Sequence, residues 1–549
     1  MQVSDFGNDL LPRWIDSPFT ITPGRDPLGL QSITTDGVMP ILVPGILALS
    51  RRARYFSFYP FLIEELARHD KYATQQELSR FIKLREYELA LAVHLCPNCR
   101  GTATGAIGTD NARAKVNRGD TSFERSESVK SDLGGYGQNY RTPLESLGAV
   151  ARQGEQVGTA GEVLPREYVR PGTGLQLAEH YRAAIADTEY FQNYFHGTQA
   201  IPRTVLEEFS RKGCLCQLEK FAPEQKIIFD AILGPLSDRQ PDTARETEYE
   251  SEPEQRRSSF ALMYWALGNS DVDRVFSSPE EEFRYRVWKE DNDRISEETR
   301  FSRTLAKWAA LAARDYLQEG FEAIFSDLVA LGWQKQPVDG MTSGELELFL
   351  SSTMVQSAPL QIGDQILSPD PSMPTKQLDQ SVADAATSMS LEELRGLVSQ
   401  QNSAVSGLAL LLVLNQQLTE ELMKRKSWQR IASTKSSWHP GVLGFVERLR
   451  SHLDEDPTLG ETMSWLCKRF VIDVHERNAY SKFPNYTFRF RWEENRLRFY
   501  HQNRGHVSMP DFRIDSVSRI GLDLGLVRED ADRLILTQTG DDFVREVFG

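Results

Sequence analysis

The segment LSRRARYFSFYPFLIEELARH, Leu49–His69, combines closely spaced arginines with aromatic residues. Such mixtures are typical of nucleic-acid platforms, because bases stack on the rings while guanidinium groups bind phosphates. The spacing favours another interpretation. Apolar residues recur at i, i+3, i+4, i+7 and i+11, which places them on one helix face: Tyr55, Phe58, Tyr59, Leu62 and Leu66. We therefore predict a core helix in a helical N-terminal domain.

The arginines precede this apolar stripe. Arg51, Arg52 and Arg54 are expected either to pair with acidic residues or to meet a ligand at the domain surface. Pro60 is expected to kink the helix or to mark its first turn, because proline lacks the N–H that an interior helical position uses.

Composition limits the class of protein. The chain has 549 residues and a net charge of −15, so a surface that is basic overall is excluded and any nucleic-acid contact needs a local basic patch. Neither a secretion signal nor an apolar run long enough to cross a bilayer is evident. With five cysteines, an odd number, we expect reduced thiols and a cytoplasmic location without membrane contact.

Helical periodicity dominates, and the predicted fold class is mostly α and multidomain, with a C-terminal winged-helix-like α+β module and a β-hairpin. The predicted divisions are an N-terminal helical domain with long loops at 1–233, a charged linker at 234–258, a helical middle domain at 259–467 and a C-terminal domain at 468–549. Ser390 is predicted to cap a helix in the middle domain, with Glu392 and Glu393 in its first turn. A long helix is predicted from apolar residues at spacings of three and four: Leu317, Phe321, Ile324, Phe325, Leu328 and Leu331.

Four of the cysteines occur as two close pairs, Cys96 with Cys99 in CPNC and Cys214 with Cys216 in CLC. Two such pairs complete a tetrahedral thiolate shell, so they predict a structural zinc site. The alternative is that Cys214 and Cys216 are small core residues at a helix start. A thioredoxin-type redox role would require a βαβ context, which the surrounding pattern lacks.

Near the C-terminus, YTFRFRW, EEN and RLRFY predict two strands joined by a polar turn. The strand period of two separates two sets of side chains, Phe488, Phe490 and Trp492 on one face and Thr487, Arg489 and Arg491 on the other. From Lys468 to Arg519 the sequence has eleven Lys and Arg against six Asp and Glu, a local charge of +5. This local charge is the best functional signal in the sequence.

The last thirty-five or so residues resemble the end of a bacterial winged-helix module. The helix from Asp515 to Leu524 would be its recognition helix, and GLV and LIL its wing strands. Such modules also serve in protein–protein contacts, and the acidic residues near the wing would repel phosphates, so both roles stay open. The residues predicted to contact DNA are six arginines: Arg489, Arg491, Arg496, Arg498, Arg513 and Arg519.

Motifs for catalysis are weak. The glycines of GTATGAIG are not followed by the Lys-Ser/Thr of a P-loop, and the H-E-x-x-H and G-x-S-x-G motifs are absent from the sequence. His475 lies on a predicted helix, where a lone histidine is more often structural than a base. The sequence therefore leaves an enzymatic role open but favours a non-catalytic one.

The N-terminal 230 residues resemble an uncharacterised bacterial family found in antiphage-defence gene clusters, whose pattern is LGL…PG…RARYFxFxP. The matching residues are Leu28, Gly29, Leu30, Ile33, Pro44, Gly45, Arg52, Ala53, Arg54, Tyr55, Phe56, Phe58 and Pro60. The resemblance implies a cytoplasmic subunit that works with a helicase, ATPase or nuclease, but it supplies no catalytic residues.

Three hypotheses follow. The first is a non-catalytic subunit of a defence complex that contacts double-stranded DNA or acts as an adaptor. The second is a metal-dependent nuclease whose carboxylates come from distant segments. The third is a structural scaffold that docks a partner ATPase or helicase.

Overall fold

A computed structural model describes residues 26–99, 105–157, 162–234, 250–269, 276, 278–362, 365–386, 390–436, 438–482, 487–500, 511–530 and 533–549. The chain divides into two compact units. The cysteine unit comprises Met39–Val275, Thr299–Thr304 and Asp511–Gly549, and the hairpin unit comprises Met1–Val38, Phe276–Glu298 and Leu305–Pro510.

Helices dominate both units, which confirms the mostly α class. In the first half of the chain the α-helices are α1 (Leu30–Ser32), α2 (Met39–Leu42), α3 (Tyr55–His69), α4 (Gln75–Leu95), α5 (Thr109–Asn117), α6 (Arg141–Ser146), α7 (Thr173–Ile185), α8 (Arg203–Gly213), α9 (Ala222–Leu233) and α10 (Glu252–Gly268). In the second half they are α11 (Pro279–Asp293), α12 (Arg300–Lys335), α13 (Ser343–Leu348), α14 (Thr375–Ala386), α15 (Leu391–Gln401), α16 (Ala404–Gln417), α17 (Glu420–Lys424), α18 (Lys426–Ala432), α19 (Gly441–Asp454), α20 (Leu459–Leu466), α21 (Asp473–Ser481), α22 (Ile514–Asp523) and α23 (Gln538–Phe548).

Short π-helical turns and one 3₁₀ turn connect several of these helices: Ile33–Val38, Tyr136–Tyr140, Tyr190–Tyr194, Phe349–Thr353, Cys467–Ile472 and the 3₁₀ turn Leu215–Lys220. The strands are short: β1 (Ser122–Phe123), β2 (Val150–Ala151), β3 (Gln156–Val157), β4 (Glu162–Val163), β5 (Tyr168–Val169), β6 (Ile201–Pro202), β7 (Met341–Thr342), β8 (Leu360–Ile362), β9 (Gln365–Leu367), β10 (Phe490–Glu493), β11 (Arg496–Phe499), β12 (Val527–Asp530) and β13 (Arg533–Leu536). They pair antiparallel as β1–β6, β2–β5, β3–β4, β8–β9, β12–β13 and the three-stranded sheet β10–β11–β7.

Helix α3 is the centre of the cysteine unit. Every residue from Arg52 to Ile63 is buried, so the predicted core position is confirmed and the buried surface extends well beyond one stripe. Tyr55 packs on Tyr140 and Phe61 on Tyr181, with ring centroids 4.9 and 5.1 Å apart. The helix begins at Tyr55 and continues through Pro60; the prediction that Pro60 marks its first turn is wrong, because aromatic burial fixes the start five residues earlier.

Part of the predicted linker is also helical. Residues 235–249 lie outside the described residues, but α10 begins at Glu252, where Ser251 and Glu254 form a reciprocal capping box. Arg256 is buried, and its guanidinium donates to the carbonyls of Ile232 and Pro44 at 2.8 and 3.0 Å. The charged composition of this segment predicts a linker. In the structure Arg256 is instead buried within a helix, where backbone carbonyls accept hydrogen bonds from its guanidinium group.

The hairpin unit is built around α12 and α16. The residues from Ala404 to Asn415 in α16 are all buried, and five of the six apolar residues predicted on α12 are buried, Leu331 being partly exposed. Ser390 caps α15 in a capping box with Glu393, as predicted. The predicted hairpin is present as β10 and β11, and its third strand, β7, comes from the middle of the sequence.

The units do not follow the predicted domain boundaries, since the predicted C-terminal domain 468–549 is divided between them after residue 510. The order of elements at the end of the chain is α22, β12, β13 and α23. Its interpretation as a winged helix stays a prediction.

Candidate metal centre and arginine clusters

The four paired cysteines come together at the ends of two helices in the cysteine unit. Cys96 follows α4 in extended backbone, and the turn through Pro97 and Asn98 returns the chain to Cys99. Cys214 follows α8 in the same way, and Cys216 lies in the 3₁₀ turn after it. Each cysteine pair therefore lies where a helix stops and the chain changes direction.

The sulfur atoms form a closed cluster. All four lie within 4.8 Å of one another, with Sγ–Sγ distances of 3.5 Å for Cys96–Cys216, 3.7 Å for Cys99–Cys214 and 3.6 Å for Cys214–Cys216. These distances are far longer than a disulfide bond, and all five cysteines of the chain are free thiols. The cluster can hold a metal ion.

Hydrogen bonding within the cluster lowers the pKa of two of its thiols, whereas burial opposes ionisation of all four. Hydrogen bonds with Cys214 foremost, and with Cys216, hold the pKa of Cys96 well below its ordinary value and lower the pKa of Cys99 to about 7, whereas the pKa values of Cys214 and Cys216 are raised. Gln217, which is fully buried, donates from its side-chain amide to Cys216 Sγ at 3.1 Å. Such outer donors orient metal ligands and tune their basicity.

The loop that carries Cys214 is fixed by Arg54 of the RRARYF segment. One guanidinium nitrogen, Nη1, donates to the carbonyls of Lys212 and Cys214, both at 2.6 Å. The other two nitrogens donate to both carboxylate oxygens of Glu224, at 3.1 and 2.9 Å, and Ser57 donates to the same carboxylate at 2.6 Å. Neither charged side chain is exposed. Arg54 therefore positions a cysteine loop.

The other two arginines of this segment also have acidic partners, both on α22. Arg52 forms a two-pronged ion pair with Asp523 at 2.8 and 2.9 Å, and Arg51 pairs with Asp515 at 3.0 Å. These arginines were predicted either to pair with acidic residues or to meet a ligand at the surface. In the structure all three pair with acidic residues.

This packing constrains the predicted recognition helix. Tyr264 donates to the carbonyl of Val517 at 3.0 Å, and Ser516 of α22 donates to the carbonyl of Ala48 at 2.7 Å. The three charged side chains of α22 all form ion pairs: Asp515 and Asp523 with the arginines named above, and Arg519 with Asp515 at 2.8 Å. A helix held on several sides is poorly placed to enter a DNA groove.

Arg513 is not a surface residue, contrary to its predicted role in DNA binding. Its side chain is buried and donates to the carbonyls of Val43 and Ile46. The residue has a φ of 62°, and it precedes α22 at the point where the chain enters the core. The guanidinium group of Arg513 therefore binds backbone carbonyls and is not available to a phosphate.

The four hairpin arginines do come together. Residues opposite each other in an antiparallel pair share a face, and Arg491 is opposite Arg498 while Glu493 is opposite Arg496. Arg489 lies two positions before Arg491 and therefore belongs to the same face of the strand. We call Arg489, Arg491, Arg496 and Arg498 the arginine face. The turn residues Glu494 and Asn495 both have positive φ, of 48° and 63°, as a two-residue hairpin turn of type I′ requires.

Acidic residues partly neutralise this face. Glu493 pairs with Arg491 and, at 3.6 Å, with Arg498, and Arg496 lies 3.8 Å from Glu345. Arg489 differs, since its side chain forms no ion pair within the described part of the chain, and burial lowers its pKa. The arginine face therefore keeps a net positive charge.

His475 is structural. Its Nε2 accepts the backbone N–H of Arg489 at 2.9 Å, so the neutral ring carries its proton on Nδ1 and donates to the carbonyl of Pro27 at 3.0 Å. Burial lowers its pKa to about 3. The ring therefore links the start of the described chain to strand β10.

Within the described residues, the cysteine cluster is the one group of three or more His, Cys, Asp or Glu side chains arranged to hold a metal ion. Over the same residues, the helices are too short or too polar to cross a membrane. Comparison with family models, curated proteins and solved structures finds no match to the chain.

Proposed function

We propose that the four cysteines bind a structural zinc ion. A Zn–S bond of about 2.3 Å in a tetrahedron implies Sγ–Sγ distances of about 3.8 Å, close to the 3.5–3.7 Å observed. Four protein thiolates leave no coordination position for water or substrate, so the ion would stabilise the ends of α4 and α8 rather than catalyse a reaction.

Metal analysis of the purified chain tests this assignment. We expect one zinc per chain, and loss of that zinc in the Cys96→Ser/Cys99→Ser variant. Tetrahedral four-sulfur sites also suit iron; stoichiometric iron would overturn the identity of the metal, and an equal metal content in the variant would overturn the site.

We further propose that the chain is a non-catalytic, DNA-contacting adaptor subunit of a cytoplasmic bacterial antiphage-defence complex. The observation that carries the DNA contact is the arginine face, because four arginines on one strand pair are suited to bind successive phosphates. The defence setting rests on the N-terminal sequence resemblance, which also supplies the expectation of a helicase, ATPase or nuclease partner.

The geometry changes the proposed DNA site. Arg513 is excluded by its burial. Arg519 lies on α22, whose contacts with Tyr264 and Ala48 hold that helix against its own unit, so the site reduces to the hairpin arginines. The packing of α22 instead favours the view that the end of the chain has a structural or protein-docking role.

Duplex binding at several salt concentrations tests the proposal. Replacing all four residues of the arginine face with alanine should abolish most of the affinity, and the salt slope should fall by about 0.9 for each arginine that contacts a phosphate. The control is Arg80→Ala/Arg211→Ala, which removes exposed arginines of the cysteine unit. Unchanged binding in the four-arginine variant would refute the site. Cleavage of duplex DNA that requires a divalent metal would favour the nuclease, and co-purification with an ATPase without DNA affinity would favour the scaffold.

A further inference from the structure

A cleft of about 660 Å³ opens in the hairpin unit beside α19, α20 and the π-helical turn that follows α20. It contains aromatic, basic and acidic side chains, namely Glu447, Arg448, Ser451, His452, Glu455, Trp465, Arg469 and Phe470. None of these residues belongs to the arginine face or to the cysteine cluster.

Two stacked rings form a flat wall of the cleft. His452 lies on Trp465 with centroids 4.3 Å apart and ring planes only 5° from parallel. Phe470 supports the indole edge-on at 5.1 Å, and His452 Nε2 is hydrogen-bonded to the hydroxyl of Thr462 at 3.1 Å. Burial lowers the pKa of His452, so near neutral pH the pair presents uncharged aromatic surface, on which a nucleobase stacks favourably.

Two arginines border the same cleft. Arg448 and Arg469 are both exposed, and within the described residues neither forms an ion pair. A guanidinium group with no carboxylate partner is suited to bind a phosphate in a two-pronged contact.

The acidic residues of the cleft complete the pattern. Glu447 and Glu455 would repel a simple inorganic anion, but carboxylates accept hydrogen bonds from the exocyclic amino groups of bases. A ligand that combines a phosphate, a flat ring and amino donors meets all three kinds of side chain. That combination is a nucleotide.

We propose that this cleft binds a nucleotide whose base carries an exocyclic amino group, with the base on the His452–Trp465 pair and the phosphate at Arg448 and Arg469. The inference goes beyond the duplex contact proposed for the arginine face, and it requires none of those four arginines. The nucleotide can be free or part of a single strand; the chemistry recognised is the same.

Fluorescence anisotropy of the full chain with labelled dC12 and dT12 tests the proposal. We expect dC12 to bind more tightly than dT12. Both Arg448→Ala/Arg469→Ala and Trp465→Leu should weaken dC12 binding at least about tenfold, the loss that one stacked base or a pair of phosphate contacts represents. Arg80→Ala/Arg211→Ala serves as the charge-matched control, and thermal unfolding of each variant verifies that it folds.

Competition separates the two sources of the ligand. Displacement of dC12 by dCMP identifies a free nucleotide as sufficient, whereas displacement only by unlabelled oligonucleotide identifies a single strand. Equal binding by wild type and both cleft variants, or a loss no larger than in the control, would overturn the proposal. Because the variant lacking the arginine face should retain dC12 binding, failure of the duplex proposal is distinguishable from failure of this one.

Discussion

Replacement of Arg54 by methionine should separate the stability of the cysteine unit from its metal affinity. The change removes one half of a fully buried ion pair, leaving the Glu224 carboxylate with the Ser57 hydroxyl. It also leaves the carbonyls of Lys212 and Cys214 without their shared guanidinium donor.

The expected magnitudes follow from these contacts. Breaking a buried ion pair costs about 3–5 kcal/mol, and replacing both charges by apolar residues recovers much of that cost. Arg54→Met should therefore lower the free energy of unfolding by about 3–5 kcal/mol, and Arg54→Met/Glu224→Leu by clearly less. Zinc affinity should fall roughly tenfold to a hundredfold in both variants, as for other lost outer contacts of metal ligands, because neither retains the clamp on the Cys214 loop.

Two measurements on the full chain check this reasoning. Urea denaturation gives the free energies of unfolding, and competition with a chromophoric chelator gives the zinc affinity of wild type, single variant and double variant. Wild-type zinc affinity in the double variant would refute the positioning role of Arg54. A double variant no more stable than the single one would refute the account of the buried charge.

Three further changes have defined outcomes. Glu493→Gln removes the acid that pairs with Arg491 and Arg498, so duplex affinity should rise and its salt slope steepen; weaker binding would argue against the arginine face. His475 has a pKa of about 3 in the folded protein, below its ordinary value near 6.5. The folded protein therefore loses stability as the pH falls from about 6.5 toward 3. The stability advantage of wild type over His475→Gln in urea denaturation should shrink by about 2 kcal/mol between pH 7 and pH 5; a constant advantage would contradict the neutral-ring assignment. Ser390→Ala should cost about 1 kcal/mol in the same measurement, whereas no loss would show that the observed cap contributes nothing.

Local features were the most predictable from the sequence. The helix cap at Ser390, the core helix after Arg54 and the hairpin around Glu494 each depend on residues within a few positions of one another. The cysteine pairs were predictable because two thiols at such short spacing can bind one metal ion. That Cys96 lies next to Cys216 was not predictable, because the two residues are 120 positions apart.

Long-range electrostatic partners were not predictable. Arg54 and Glu224 are 170 positions apart, and no pattern in either segment indicates the other. The same limit applies to Arg513. Its charge alone predicts a DNA contact, whereas in the structure backbone carbonyls 467 and 470 positions away accept its hydrogen bonds. Arg256 shows that a charged side chain can be buried when backbone carbonyls accept its hydrogen bonds.

The most direct test of the metal centre is titration of the metal-free full chain with Co²⁺, followed by visible absorption. Tetrahedral cobalt with four thiolates absorbs intensely through d–d and sulfur-to-metal transitions. We predict that this spectrum saturates at one equivalent of cobalt, is displaced by one equivalent of zinc, and is lost in Cys99→Ser/Cys216→Ser. A spectrum that never saturates, or one that survives in this variant, would contradict a four-cysteine metal centre.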